Sequence, residues 1–149
     1  MSVRENNDKA QKKLILVVDD FMLNRLAILL TLTEELQVPE KQIIFATNGR
    51  KAVNLVRSLV AANPSVPNVF SLIITDFNMP EFNGLWTVEE INKIYQDQGC
   101  TAQKPEIVMV SGFMKMKEKR MAQKLGVLHV IEKPVKKEVL GGILLSLNY

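Results

Sequence analysis

Two rhythms of apolar and polar residues alternate along this chain. Short apolar runs of strand length occur at "KLILVV" (13–18), "QIIFAT" (42–47), "FSLIIT" (70–75), "EIVMV" (106–110) and "LHVIE" (128–132). Between and after them lie longer stretches with apolar positions at helical spacing, over 23–36, 50–62, 85–98, 115–126 and 136–147. In the first of these, Leu26, Leu29, Leu30 and Leu36 are expected on the buried side; in the second, positions 52, 53, 56, 59 and 60. Val38-Pro39, Asn48-Gly49, the breaker-rich "NPSVPN" (63–68), Gly99 and Gly126 punctuate the pattern. The pattern predicts a strand followed by a helix, five times over. Crossover helices return the chain to the same end of the sheet, so neighbouring strands run parallel, and uninterrupted apolar strands fit burial on both faces. The expected fold is a three-layer, doubly wound α/β domain on a five-stranded parallel sheet, spanning residues 13–149. Residues 1–12 read as a flexible polar leader.

Composition narrows the class without changing this picture. A chain of 149 residues suffices for one domain with a full core, and 47% hydrophobic with 23% charged residues is ordinary for a globular protein. The single cysteine, Cys100, excludes an intramolecular disulfide, and with the lone His129 it makes structural zinc a poor fit; a reducing, cytoplasmic setting is expected. No apolar run approaches membrane-spanning length, and "MSVRENNDKAQKK" lacks the apolar centre of a signal peptide, so no membrane contact is expected. The net charge of +3 is too slight to argue for nucleic acid.

The candidate chemistry lies where the strands end. In open α/β sheets ligands bind outside the carboxyl ends of the strands, at the point where strand order reverses. Strand one ends at Asp19-Asp20, strand three at Asp76, strand four at Ser111 and strand five at Lys133. Each has an ordinary reading by itself: Asp19-Asp20 and Ser111 as helix caps, Asp76 as a turn residue, Lys133 as a solvated lysine. Their joint occurrence at four of five strand ends is what those readings explain poorly.

Taken together with their order, these residues resemble a response-regulator receiver domain, the phosphate-accepting module of two-component signalling. The resemblance runs from about Lys13 to the C-terminus through "LILVVDDF", "ATNGRKAV", "LIITDFNMPEFNG", "MVSG" and "VIEKPV", and the interval from Ser111 to Lys133 also suits it. It implies the flavodoxin-like strand order 2-1-3-4-5, which brings three carboxylates together. Such a cluster raises its own pKa values unless a cation offsets the charge, and Mg²⁺ takes carboxylates, waters and phosphate oxygens. The resemblance further implies that Asp76 accepts the phosphoryl group and that Asp19, Asp20, Asp76 and the Asn78 main-chain carbonyl hold Mg²⁺. Ser111 and Lys133 would meet the phosphoryl oxygens, and Lys133-Pro134 would be a cis bond. The implied donor is a histidine kinase or histidine phosphotransfer protein. Output is expected through partner contact at the surface of the fourth helix, fifth strand and fifth helix. The chain stops at its last helix, so it is expected to act alone or as the receiver segment of a hybrid kinase.

The sequence departs from the family pattern at three places. Gly112 stands where a small Ala is frequent, Asn83 where an acidic residue usually precedes the glycine, and Val130 where many members carry an aromatic ring that swings inward. His129 is out of register with that position and reads as a rim residue. The lysine-rich fourth helix (Lys115, Lys117, Lys119, Arg120, Lys124) reads as a solvated face or a contact for an acidic partner, with Phe113, Met114, Met116 and Met121 packing inward or lining it. Trp86 reads as partly buried at the start of the third helix. A haloacid-dehalogenase-like phosphatase also uses an aspartate nucleophile, but on its first strand and with an acid two residues later, where Asn78 stands here. A flavodoxin-like cofactor binder would need a Ser/Thr/Gly-rich loop after strand one. The remaining alternative is a receiver-like protein-binding module that is never phosphorylated; no enzymatic turnover beyond self-phosphorylation from the donor and slow loss of the phosphoryl group is expected.

Overall fold

Alternate residues of the first strand face two different cores, and the whole architecture follows from that. The computed structural model describes residues 13–63 and 69–148; the leader expected over residues 1–12 and most of the 63–68 loop lie outside them. Strand β1 is Leu14–Val18, β2 Ile43–Ala46, β3 Phe70–Asp76, β4 Glu106–Ser111 and β5 His129–Glu132. All pairings are parallel and the order is β2-β1-β3-β4-β5, as the resemblance implies. Helices α1 (Met22–Leu30), α2 (Gly49–Ala62), α3 (Gly84–Asp97), α4 (Met116–Lys124) and α5 (Lys137–Ser146) cover both faces. Leu16 and Val18 of β1 pack with Val53, Val56, Val88, Ile91 and Ala122 of α2, α3 and α4. Ile15 and Val17 pack with Ile28, Leu32, Leu140 and Ile143 on the side of α1 and α5. Among the described residues no helix is long and apolar enough to cross a membrane.

The helix starts follow local chemistry. Asn48 Oδ1 accepts from the Lys51 amide and Asn83 Oδ1 from the Trp86 amide, capping α2 and α3. Asn83, the departure from an acidic residue, is thus an N-cap. Gly99 and Gly126 both take positive φ just beyond α3 and α4, as their stop role predicts. Four of the five apolar positions expected in α2, those of Ala52, Val53, Val56 and Val60, are buried.

The first helix differs from the expectation. It tightens into α1 only as far as Leu30 and continues as a π-helical turn, Thr31–Glu35. The buried face is that of Ile28 and Leu32; Leu26 and Leu30 face outward, 45% and 48% exposed, and Leu29 and Leu36 are half-buried. Apolar residues surround this helix on nearly every side, so periodicity alone does not select the core face.

Candidate functional site

The parallel ladder continues one residue beyond several strands and so fixes where the site side chains begin. The Asp19 amide donates to Ala46 O (3.2 Å), the Phe77 amide to Val110 O (2.9 Å) and the Lys133 amide to Ser111 O (2.8 Å). Asp76 is itself the last residue of β3, opposite Val110. Asp19, Asp76 and Ser111 are buried, while Asp20 is exposed and Lys133 half-buried.

Three carboxylates converge. One oxygen from each of Asp19, Asp20 and Asp76 lies within 4.8 Å of the others. Lys133 Nζ stands 3.2 Å from Asp76 Oδ1 and 3.9 Å from Asp19 Oδ2. The contact with Asp76 is an ion pair, and apart from it Asp76 Oδ1 is a buried acceptor with no partner among the described residues. Asp19 is better held: its Oδ1 accepts from the Phe21 amide (2.9 Å) and its main-chain carbonyl from Arg25 Nη1 (2.8 Å). Burial raises the Asp76 pKa above its ordinary 3.8, Asp19 raises it further, Lys133 opposes the rise, and Asp20 adds a little. A hard divalent cation fits this donor set, because it would satisfy the buried Oδ1 and offset the repulsion among the acids.

The remaining candidates surround this pocket unevenly. Asn78 is exposed in the loop after β3. Ser111 Oγ does not bond to Asp76; it donates to Phe113 O (2.7 Å) and accepts from the Phe113 amide (3.1 Å). Lys133-Pro134 is cis. Gly112 is exposed, and a Cβ added there would meet nothing within 4 Å, so alanine would fit equally. Val130 is half-buried and packs on the α2, α3 and α4 side, whereas His129 is exposed. The α4 cations Lys115, Lys117, Lys119, Arg120 and Lys124 are all exposed; Met114 packs inward, and Phe113, Met116 and Met121 face outward.

Several residues carry the site without a sequence signal of their own. Arg25 braces Asp19 from one helical turn away, where nothing in the pattern distinguishes it from a solvated arginine. Gly84 is required by close approach: a Cβ there would stand 2.6 Å from Asp76 O and 3.0 Å from Phe77 Cα. Nothing in the motif "LIITDFNMPEFNG" marks Gly84 as the place where α3 meets the end of β3. Trp86 is half-buried as expected, yet it also stacks. Its ring centroid lies 4.2 Å from that of Phe82, and Arg50 Cζ lies 4.7 Å above the Phe82 ring.

The comparisons with known proteins agree with this fold. The sequence model of the family described as "Response regulator receiver domain" matches residues 15–144. Among curated proteins, the peroxide stress-activated histidine kinase mak3 of Schizosaccharomyces pombe is 27% identical over 132 residues; these cover 89% of this chain but 5% of that protein. Among solved structures, the receiver domain of the histidine kinase CKI1 from Arabidopsis thaliana, complexed with Mg²⁺ and BeF₃⁻, is similar with a TM-score of 0.72 at 24% identity, covering 91% of this chain and 89% of that one. The chemotaxis protein CheY4 of Vibrio cholerae is similar with a TM-score of 0.66 at 24% identity, covering 91% and 98%. Matched over nearly its whole length by the family's sequence model and folded on the same β2-β1-β3-β4-β5 sheet, the chain belongs to the response regulator receiver domain family of two-component signalling.

Proposed function

We propose that Asp76 accepts a phosphoryl group from a phosphohistidine donor, a histidine kinase or histidine phosphotransfer protein, in a reaction that requires Mg²⁺. The observation that carries this reading is Asp76 itself: a buried carboxylate with one oxygen lacking a hydrogen bond, facing a lysine and two further acids. Asp19, Asp20, Asp76 and the Asn78 main-chain carbonyl would hold the ion, which when bound offsets negative charge on the carboxylates and the incoming phosphoryl oxygens. An Asp76 oxygen forms the new O–P bond as the N–P bond of the donor breaks. The electron pair leaves with the imidazole nitrogen, which is then free to take a proton. Lys133 Nζ, at 3.2 Å from the attacking carboxylate, pairs with a phosphoryl oxygen. The acyl phosphate is later hydrolysed or passed to another histidine.

Ser111 is held away from this group by its two bonds to the Phe113 main chain. Turning its hydroxyl toward the phosphoryl oxygens exchanges those bonds and frees the segment leading to α4. Phe113, 72% exposed, and the basic outer face of α4 begin there, and this is the effector surface we assign, together with β5 and α5. With Val130 in place of an aromatic, the response travels through that segment and not through a ring on β5. The donor approaches over the outward face of α1, where Met22, Leu26 and Leu30 are exposed beside a cleft of about 350 Å³ lined by Asp19, Ala27, Thr31 and Lys133.

Intact-protein mass after incubation with Mg²⁺ and acetyl phosphate, and separately with a phosphohistidine protein, tests the reading. One phosphoryl adduct is expected on the wild type, absent from Asp76→Asn and absent when Mg²⁺ is chelated first. A folded protein that takes no adduct from either donor would instead be the protein-binding module that is never phosphorylated.

A further inference from the structure

The loop between β3 and α3 is tied at both ends by the main chain. Phe77 donates to Val110 O, and Gly84 donates to Phe77 O at 2.8 Å. Its middle is held otherwise. Asn78, Pro80 and Glu81 are exposed, and Glu81 takes a left-handed φ of 65°, which a residue with a Cβ adopts at some cost. Phe82 closes a tight turn by donating to Pro80 O at 2.7 Å. Met79 anchors one side of that turn in the core, and the other side carries a stack contributed by three elements: Phe82 from the loop, Trp86 from the first turn of α3, and Arg50 from the first turn of α2. The guanidinium lies 4.7 Å from the Phe82 ring and 5.9 Å from the Trp86 ring, both within cation–π range. Arg50 also lines a cleft of about 380 Å³ together with Asp20, Pro80, Glu81 and Phe82, so it borders the acidic pocket.

We infer that Arg50 is a positioning residue of this site: by clamping Phe82 against Trp86 it holds the β3–α3 loop so that the Asn78 carbonyl is presented to the metal. The inference rests on the reading of Asp19, Asp20, Asp76 and Asn78 as a Mg²⁺ site. It is separable from simple electrostatics because the two predict opposite signs. Removing a cation from the rim of an acidic pocket, by charge alone, tightens the binding of a divalent cation. Removing a clamp on a ligand-bearing loop weakens it.

The experiment compares wild type, Arg50→Ala and Arg50→Lys. Lysine keeps the charge but lacks the planar group that stacks. Mg²⁺ affinity is measured by calorimetry. In the metal-free protein, acrylamide quenching of Trp86, the single tryptophan, and amide exchange at Phe82 and Gly84 are followed, with thermal melts to verify folding. Positioning predicts Mg²⁺ binding roughly two- to fivefold weaker in Arg50→Ala and weakened also in Arg50→Lys, the loss expected from one exposed stacked cation. It also predicts faster quenching and faster exchange in both variants without metal. Unchanged or tighter Mg²⁺ binding in Arg50→Ala overturns the positioning role while leaving the metal site standing. A folded wild type with no saturable Mg²⁺ binding overturns the metal site, and the positioning role with it.

Discussion

Asp76 is buried beside Asp19 with too little compensation from Lys133, and its carboxyl is held above the ordinary value of 3.8 for that reason. A raised folded-state pKa means that the fold holds this proton more tightly than the unfolded chain does. The group therefore favours folding below its unfolded pKa, and that contribution is lost as pH rises through the raised value. Asn resembles the protonated carboxyl in shape and carries no charge. In metal-free protein, Asp76→Asn is expected to be more stable than the wild type near pH 7, and the gap should shrink as pH falls through the raised value and be closed below about 3.8. Urea melts across pH with a chelator present read this directly. A gap that ignores pH would remove burial of charge as its cause. The chemical identity of Asp76, Ser111 and Lys133 was legible in the sequence, since each sits at a strand end. The present direction of Ser111 was not, because a hydroxyl that bonds to the main chain two residues on leaves no mark in the residue pattern.

At the scale of elements, α1 is where pattern and structure part. Leu26 and Leu30 have the same chemistry as Leu32, but Ile28 and Leu32 are buried against the sheet and α5, with Leu29 and Leu36 packed partly on the same core, while Leu26 and Leu30 face outward. Exposed apolar residues on one helix face are uncommon enough to call for a partner, and here they flank the pocket. Leu26→Ala should change stability by less than about 0.5 kcal/mol, whereas Ile28→Ala should cost about 2–4 kcal/mol. Denaturant midpoints measured side by side decide it, and equal losses would mean that the outward face packs after all. The second helix was readable because polar residues mark its outer face: in α2, Arg57 and Ser58 are exposed between buried Val56 and Val60. Capping by Asn48 and Asn83 explains why α2 and α3 begin where they do.

At the scale of the molecule, the order β2-β1-β3-β4-β5 places Asp19 and Asp20 just beyond the end of the strand next to the one that carries Asp76. Two separate cores, one on each sheet face, hold those strand ends in register, so the cost of crowding three acids is spread over the whole fold. A cation that binds only the folded state stabilises it by mass action. At a Mg²⁺ concentration about 100 times Kd the gain is about 2.7 kcal/mol. For a domain of this size that is a rise in Tm of roughly 5–10 °C. The rise should saturate and should vanish in a variant carrying both Asp19→Asn and Asp20→Asn. Scanning calorimetry against Mg²⁺ concentration checks it, and an equal rise in the variant would identify a general salt effect.

The alternation of apolar strands and amphipathic helices, with acids, a hydroxyl and a lysine at the strand ends, was determined by the sequence alone. Burial on two faces and short crossovers leave few other arrangements for such a pattern. Which face of α1 is buried, which oxygen of Asp76 pairs with Lys133 as an ion, where the Ser111 hydroxyl points and how Arg50 reaches Phe82 were decided only in three dimensions. Each of these depends on contacts between residues distant in sequence or on a rotamer chosen by packing. Neither is carried by the periodicity of a single segment.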